Sequence, residues 1–178
     1  MSQYPIPAVG VFVFHENGIY MIKKGRGIFK DQWCTPGGKI EFGEDIINTV
    51  HREVLEETNL EIENIKFITY EQTIEYDDSG NITRHFVFFN FQATVKSGIP
   101  VAADDAAEIK LIPLDDLSKI DLSVPTIRTF KLLGIFNWKL QRLKKVQQRD
   151  YAMGRIVAIA CGLNEPKKDY SLTLLYNL

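Results

Sequence analysis

Residues 38–60 place glutamates and one arginine at fixed offsets around a turn and a helix. At about 100° per residue, Glu53, Glu56 and Glu57 fall within one arc beside the apolar stripe of that helix. Carboxylates three and four residues apart repel each other, and those at the edge of a buried face lose hydration, so the arrangement needs a cation. Oxygen ligands without histidine or cysteine favour Mg²⁺, with Mn²⁺ as a substitute, over zinc. These residues predict a magnesium site.

Two adjacent glycines, Gly37 and Gly38, stand in the loop that precedes this helix. Glycine lets the backbone approach a ligand closely or turn with a positive φ, which residues with side chains do poorly. A glutamate-rich helix turn by itself is usually a solvated face. With the glycine loop beside it, the same turn predicts a site where the backbone approaches a phosphate.

The whole stretch resembles the Nudix box, which reads Gly, five residues, Glu, seven residues, Arg-Glu, an aliphatic residue, any residue, Glu-Glu, any residue, Gly and an aliphatic residue. The residues that match in order are Gly38, Glu44, Arg52, Glu53, Val54, Glu56, Glu57 and Leu60. Asn59 stands in place of the second glycine. Asparagine tolerates the left-handed conformation that often ends a helix, so we expect a small loss of stability and intact chemistry.

The resemblance predicts a set of metal ligands and a reaction. It implies that Glu53, Glu56 and Glu57 bind Mg²⁺, with the Gly38 carbonyl as an extra ligand. The implied reaction is attack by a metal-activated water on a pyrophosphate linkage, which needs charge neutralisation and no nucleophilic side chain. Glu44 is expected to contact the metal-binding residues and not the metal itself.

The roles of Arg52 and of the general base are open. Arg52 is expected to hold a glutamate or the preceding loop, as in the family, and the alternative is a surface ion pair with Glu56. For the catalytic base the resemblance offers Glu53 or Glu57, or a glutamate on a later loop. Glu108 is the loop candidate, and the alternative is an exposed residue at the start of a strand.

Substrate contacts are predicted for Lys23, Arg26, Gly37 and Tyr76. The two basic side chains, like Lys24, follow the second strand and could meet phosphates, although basic loop residues are often only solvated. The substrate stays open among ADP-ribose or nucleotide-sugar-like nucleoside diphosphate derivatives and nucleoside triphosphates. A tyrosine at position 76 resembles the pattern of dinucleoside polyphosphate hydrolases instead, and the alternative is a tyrosine that only packs within the hairpin. The alternative function is a non-catalytic Nudix-fold module that senses a nucleotide or binds a partner.

The composition is that of an ordinary globular protein, with 178 residues, 45% hydrophobic residues and a net charge of −2. This charge gives no overall footprint for nucleic acid, and we expect a small-molecule nucleotide partner instead. The first apolar run is too short for export or membrane insertion, which favours the cytoplasm and no membrane partner. Cys34 and Cys161 are interpreted as small buried side chains, and a homodimer is one expected assembly.

The elements that must position these residues follow from periodicity and turn residues. The patterns predict a mid-sheet strand at 8–14, an Asn17-Gly18 hairpin into 19–22, a helix at 45–58, a long hairpin of 60–75 and 82–95, a strand at 108–113 and a helix that Ser123 and Pro125 open and Gly134 closes. Helices interleaved with antiparallel hairpins predict an α+β fold with a mixed sheet. The resemblance implies a Nudix-type α/β/α sandwich at 1–134, with a C-terminal extension of unknown role at 135–178.

Overall fold

The computed structural model describes residues 4–27 and 29–135. The elements in chain order are β1 (Ile6–His15), β2 (Gly18–Lys24), β3 (Trp33–Cys34), α1 (Ile46–Thr58), β4 (Leu60–Tyr76), β5 (Ile82–Gly98), β6 (Ala106–Pro113), a 3₁₀ helix (Leu114–Lys119) and α2 (Val124–Leu132). Every strand and helix that the periodicity predicts is present. The extension expected from residue 135 lies, apart from its first residue, outside the described residues, and so does Cys161.

The strands form one mixed sheet. Within the described residues its order is β3-β2-β1-β5-β4, and β6 pairs along the other edge of β2. β1 runs parallel to β5, from the pair Ile6 and Phe86 to the pair Phe14 and Thr94, whereas β1 and β2 are antiparallel. Residues 8–13 of β1 are buried on both faces, which confirms the predicted mid-sheet strand.

Each face of the sheet has its own core. Val9, Val11 and Val13 of β1 pack on one face with Val50 and Val54 of α1. On the opposite face Phe12 packs with Ile19, Met21 and Phe130, so that α2 covers this side. Alternate residues of a strand point to opposite faces, which is why a continuous apolar strand needs a helix on each side. The α/β/α sandwich with a mixed sheet is confirmed.

The hairpin between β1 and β2 differs by one residue from the predicted turn. His15 pairs with Gly18, so the two turn residues are Glu16 and Asn17, and Glu16 takes the positive φ of 49°. Gly18 is already part of β2. A Cβ on Gly18 would lie 2.9 Å from the Ile112 carbonyl oxygen, so the packing of β6 against β2, and not the turn, requires this glycine.

Helix α1 begins and ends with side chains that satisfy its free backbone groups. The Asp45 carboxylate accepts from the Ile47 amide at 2.8 Å and from the Asn48 amide at 3.4 Å. Asn59 ends the helix with a φ of 58°, and its side-chain amide donates to the Ile99 carbonyl at 3.0 Å. The asparagine that replaces the usual glycine therefore takes the left-handed conformation.

Substitution of Asn59 tests this ending. Asn59→Ala is expected to lower the free energy of unfolding by about 1–2 kcal/mol, because a left-handed conformation is strained for most L-residues. Asn59→Gly removes the strain and also the hydrogen bond to Ile99, so its stability should stay within about 1 kcal/mol of the wild type. Urea unfolding of the two variants measures the difference. Equal loss in both would show that the side-chain hydrogen bond, and not the backbone conformation, matters at this position.

Helix α2 follows the predicted start and stop residues. It begins after Ser123 with Pro125 in its first turn, and Gly134, with a φ of 69°, follows its end. In the part of the chain that the structure describes, no helix has the length and apolar character needed to cross a membrane.

Candidate active site

The loop before α1 runs along β1 and requires glycine. The Val9 amide donates to the Gly38 carbonyl and the Val11 amide to the Pro36 carbonyl, both at 2.8 Å. Gly37 has a φ of 148°, and a Cβ there would lie 2.1 Å from the Val9 carbonyl oxygen. The two strand-like hydrogen bonds therefore hold the glycine loop against the centre of the sheet, beside the last turns of α1.

Gly38 also makes room for a carboxylate. A Cβ on Gly38 would lie 2.4 Å from Glu53 Oε2, so the Glu53 side chain occupies the space that any other residue would fill. Glu53 is buried. Burial raises the pKa of its carboxyl, against the opposing effect of the Arg52 guanidinium.

Glu57 lies at the centre of a buried network. Its side chain is almost fully inaccessible, with 1% exposure. The Gly37 amide donates to Glu57 Oε2 at 2.7 Å, and the Lys24 ammonium donates to Glu57 Oε1. Lys24 Nζ also donates to Asp105 Oδ1 at 2.9 Å and to the Gly37 carbonyl at 3.3 Å. One lysine therefore links the helix, the glycine loop and the loop before β6.

The charges of this network balance when Glu57 is protonated. Burial raises the pKa of Glu57 to about 9, and a hydrogen bond with Asp105 adds to the shift. Burial would lower the pKa of Lys24, but the attraction of Glu57 and hydrogen bonds to both carboxyls raise it. Burial alone would raise the pKa of Asp105, yet its hydrogen bonds with Glu57 and Lys24 lower it. Without a metal, charged Lys24 and Asp105 neutralise each other.

The raised pKa of Glu57 predicts a pH-dependent stability. Folded Glu57 keeps a proton up to about pH 9, whereas an ordinary glutamate releases it near 4.5. The stabilising contribution is complete below the ordinary pKa and is lost as the pH rises through the folded value. In EDTA, urea unfolding across this window should therefore show stability falling more steeply with pH in the wild type than in Glu57→Gln. Parallel profiles would mean that Glu57 is already ionised in the folded protein.

Arg52 links Glu44, which precedes the helix, to Glu53 and Glu56 in its second half. Its guanidinium donates to both Glu44 oxygens, at 2.7 and 2.8 Å, and to Glu53 Oε1 at 2.8 Å. It also reaches Glu56 Oε2 at 3.2 Å and the Lys39 carbonyl at 3.1 Å. The hydrogen bonds from Arg52 lower the pKa of Glu44 to about 2. The contact with Glu56 is thus one of several, and Arg52 joins the loop to the helix.

Arg52→Lys is expected to reduce turnover about 10- to 100-fold, because an ammonium cannot reproduce the fork of the guanidinium that orients Glu44 and Glu53. The metal concentration needed for half-maximal turnover should rise. Arg84→Lys is the matched control, since Arg84 forms an exposed pair with Glu75 at 3.5 Å. Equal activity of both variants would assign Arg52 to the surface ion pair alone.

Lys23 and Glu108 lie away from the Glu57 network. They pair with each other at 3.5 Å, and Glu108 also contacts Lys110 at 2.9 Å, which lowers the pKa of Glu108. Lys23 and Lys24 are adjacent in β2 and therefore point to opposite faces of the sheet, so that only Lys24, on the side of α1, reaches Glu57. The structure does not bring the predicted loop base Glu108 or the predicted phosphate ligand Lys23 to the box glutamates.

Arg26 and Tyr76 are also separated from the network. Arg26 is exposed and pairs with Asp104 at 2.7 Å. Tyr76 pairs with Ile82 at the tip of the β4–β5 hairpin. Ile82 precedes the pocket residue Phe88 by six residues of β5, which is about 20 Å at the rise of a β-strand. Of the four predicted substrate contacts, the structure brings Gly37 alone to the Glu57 network.

A half-open pocket adjoins the network on the α2 side of the sheet. Its walls include Phe12, Phe29 and Phe88, and the rings of the last two lie 6.4 Å apart. Its polar lining comes from Thr35, Asn90, Ser123 and Thr126. Lys24 and Gly37 line the pocket too, so the pocket and the buried network share these two residues. Cys34, buried as predicted, completes one wall, and burial raises the pKa of its thiol to about 11.

Comparison with known proteins decides the family. The family model described as the NUDIX domain matches residues 5–133. An ADP-ribose pyrophosphatase of Methanocaldococcus jannaschii is 31% identical over 117 residues, which cover 66% of this chain and 67% of that protein. The chain belongs to the Nudix family. The nucleoside triphosphatase NudI of Escherichia fergusonii is 25% identical over 131 residues, or 69% of this chain and 93% of that protein.

Solved structures share the Nudix fold. A MutT NUDIX hydrolase from Burkholderia pseudomallei has a TM-score of 0.65 at 24% identity, and the match covers 74% of this chain and 99% of that one. The NUDIX domain of Shewanella oneidensis NrtR, solved with ADP ribose, has a TM-score of 0.60 at 18% identity and covers 75% and 88%. The chain is a Nudix pyrophosphohydrolase, an enzyme acting on phosphoric anhydride bonds, and such hydrolases generally use divalent metal ions.

The Nudix box residues suit a divalent metal in their chemistry. Glu53, Glu56 and Glu57 supply carboxylate oxygens from adjacent turns of α1, and the bare Cα of Gly38 leaves room for the Glu53 carboxylate. Within residues 4–27 and 29–135, no three acidic, histidine or cysteine side chains already converge on one point. In this arrangement Arg52 binds Glu53 and Glu56, while Lys24 binds Glu57.

Asp105 is a residue of this network that lies outside the box motif and that was not predicted from the sequence. It precedes β6 and meets Glu57 through Lys24, 81 residues away in the chain. The adjacent acidic pair Asp104-Asp105, followed by a strand, was the available sequence signal. The candidate base predicted from the sequence was instead Glu108, the next acidic residue. The pocket residues Phe88 and Asn90 had no signal beyond an aromatic strand.

Proposed function

We propose that this Nudix enzyme is a cytoplasmic hydrolase of the pyrophosphate linkage in a small-molecule nucleotide, either a nucleoside diphosphate derivative such as ADP-ribose or a nucleoside triphosphate. The observation that carries the proposal is the continuity of two regions at Lys24 and Gly37, which contact Glu57 and also line the aromatic pocket. A nucleoside in the pocket would place its phosphates beside the box glutamates. The names of the ADP-ribose pyrophosphatase and nucleoside triphosphatase relatives support both substrate classes.

We assign the metal to Glu53, Glu56 and Glu57, with the Gly38 carbonyl as a further ligand, and we propose Mg²⁺. When bound, the ion supplies charge neutralisation to the phosphate oxygens and lowers the pKa of a water. The Gly38 carbonyl oxygen already accepts the Val9 amide, which leaves one lone pair for a ligand. The oxygen-only ligand set favours a hard cation, with Mn²⁺ as a substitute.

The protein's own groups would orient the reaction. Glu53 is the base we favour, since burial raises the pKa of its carboxyl and Arg52 holds one of its oxygens. Glu57 and Lys24 fix the Gly37 backbone, whose amide and carbonyl both contact this pair. Glu108 is the weaker candidate base, because its carboxylate contacts Lys23 and Lys110 instead.

A substrate panel tests the proposal. Wild-type protein is incubated with ADP-ribose, nucleotide sugars, dinucleoside polyphosphates and nucleoside triphosphates, with Mg²⁺, Mn²⁺ or EDTA, and phosphate-linked products are measured. We expect turnover of at least one class with metal and none in EDTA. Tight binding without turnover of any member would replace this proposal with the nucleotide-sensing module. No structural observation favours that alternative, because every box carboxylate is present.

A further inference from the structure

One polar side chain of the pocket is buried and only partly used. Asn90 is 5% exposed, in a strand where the neighbouring pocket residue is Phe88. Its Nδ2 donates to Thr129 Oγ1 of α2 at 3.0 Å, and Thr129 is fully buried. Within the described residues the structure shows no hydrogen bond to its Oδ1. Among the described residues, every side-chain polar atom shielded from solvent has a partner, so this unpaired oxygen is open to the pocket and free to accept a hydrogen bond from a ligand.

The place of this oxygen is set by a glycine on the neighbouring strand. Gly10 pairs with Asn90 between the parallel strands β1 and β5. A Cβ on Gly10 would lie 2.6 Å from Asn90 Oδ1 and 3.4 Å from Thr35 Oγ1. Because Gly10 has no side chain, a gap remains beside Asn90 Oδ1. Gly10, Thr35 and Asn90 all line the pocket. Any larger residue at position 10 would close the approach to Asn90.

The rest of the pocket suits a flat heterocycle. Phe88 stacks on Phe86 with centroids 5.6 Å apart, and its ring is tilted by 46° to that of Phe29, with centroids 6.4 Å apart. Aromatic walls with a polar end match a nucleobase, which has apolar faces and a hydrogen-bonding edge. Because Thr129 holds the amide nitrogen, the group that Asn90 presents is an acceptor. The edge of the ligand that faces Asn90 must therefore carry a hydrogen-bond donor.

We propose that Asn90 is the specificity-determining residue of this enzyme and that it selects nucleotides whose base carries an exocyclic amino group. The inference rests on the proposed function, since it takes the aromatic pocket as the nucleoside site. Asn90 Oδ1 accepts the amino N–H of adenine or cytosine. The keto oxygen of hypoxanthine or uracil at the same position faces Oδ1 as a second acceptor, and the two oxygens repel each other. Thr129 is a positioning residue that prevents rotation of the amide.

Matched substrate pairs test the selection. The measurement is kcat/KM for ATP against ITP, CTP against UTP, and ADP-ribose against its hypoxanthine analogue. Wild type is expected to prefer the amino member of each hydrolysed pair by about 10- to 100-fold. Asn90→Leu should bring the ratio close to one, mainly by lowering the value for the amino member. Asn48→Leu on the exposed side of α1 is the control and should keep the wild-type ratio.

Two nearly isosteric variants keep the test valid if Asn90→Leu fails to fold. Asn90→Asp retains an acceptor oxygen, with the Thr129 hydroxyl as donor to its other oxygen, and should retain the preference. Thr129→Val frees the amide to rotate and donate, so the preference should fall towards one. A purely structural role of Asn90 would lower all values together and leave the ratios unchanged, which would overturn the inference. A wild-type ratio near one would do the same.

Binding separates this inference from the proposed function. Calorimetry with AMP against IMP, and CMP against UMP, is performed on the same proteins. If no pair is hydrolysed, the proposed function fails, but an amino preference that Asn90→Leu abolishes still supports the inference. Hydrolysis together with a missing binding preference supports the function and rejects the role of Asn90. Absence of both hydrolysis and binding rejects both.

Discussion

Glu53→Gln is expected to lower kcat by about 10²- to 10⁴-fold, the usual contribution of a positioned general base. The amide keeps the size of the side chain in the space beside Gly38 but cannot accept a proton or offer a charged oxygen to a metal. KM should change much less, because the nucleoside pocket is untouched. Turnover of the best substrate from the panel, measured with saturating Mg²⁺, gives both constants.

The matched control for this variant is Glu61→Gln. Glu61 lies at the start of β4, exposed, where it contacts Ser97 at 2.8 Å and Lys96 at 3.6 Å, and we place it outside the site. Thermal unfolding of both variants separates a loss of structure from a loss of chemistry. A Glu53→Gln enzyme that keeps more than about a tenth of wild-type kcat would exclude Glu53 as the base. Glu57 and Glu108 would then be the next residues to replace.

Lys24→Met is expected to lower the free energy of unfolding by about 3–5 kcal/mol, the usual result of removing one partner from a buried ion pair. Lys24 is the cation that donates hydrogen bonds to both Glu57 and Asp105, and its side chain is 11% exposed. Without Lys24, the Asp105 carboxylate loses its neighbouring positive charge, and the Gly37 carbonyl loses a hydrogen-bond donor. Urea unfolding in EDTA measures the effect without a contribution from bound metal.

A second substitution distinguishes lost charge balance from lost packing. Lys24→Met combined with Asp105→Asn removes the uncompensated carboxylate, so the double variant should be more stable than Lys24→Met alone. Lys96→Met is the surface control. Lys96 and its partner Glu61 are both exposed, and such pairs contribute at most about 1 kcal/mol. A double variant no more stable than the single one would show that Lys24 acts through packing of its chain.

The sequence alone determined the helix, its left-handed end at Asn59 and the arc of carboxylates, because these features depend on backbone conformation and spacing within one element. Residues three and four apart on a helix are neighbours in any fold, so Glu53, Glu56 and Glu57 had to share one side of α1. Asn59 likewise ends the helix through its own left-handed backbone conformation. The matching motif then supplied the family.

Only the tertiary structure decided which other residues join these glutamates. Lys24, Glu57 and Asp105 lie on separate elements, and the placement of β2 in the sheet turns Lys24 towards α1 and Glu57, while Lys23 on the other face pairs with Glu108. The gap beside Asn90 likewise depends on the register that sets Gly10 opposite it. Strand register and bulges result from packing across the whole sheet, and a shift of one residue would turn every side chain to the other face. No local spacing encodes that outcome, which is why the box was predictable and the pocket was not.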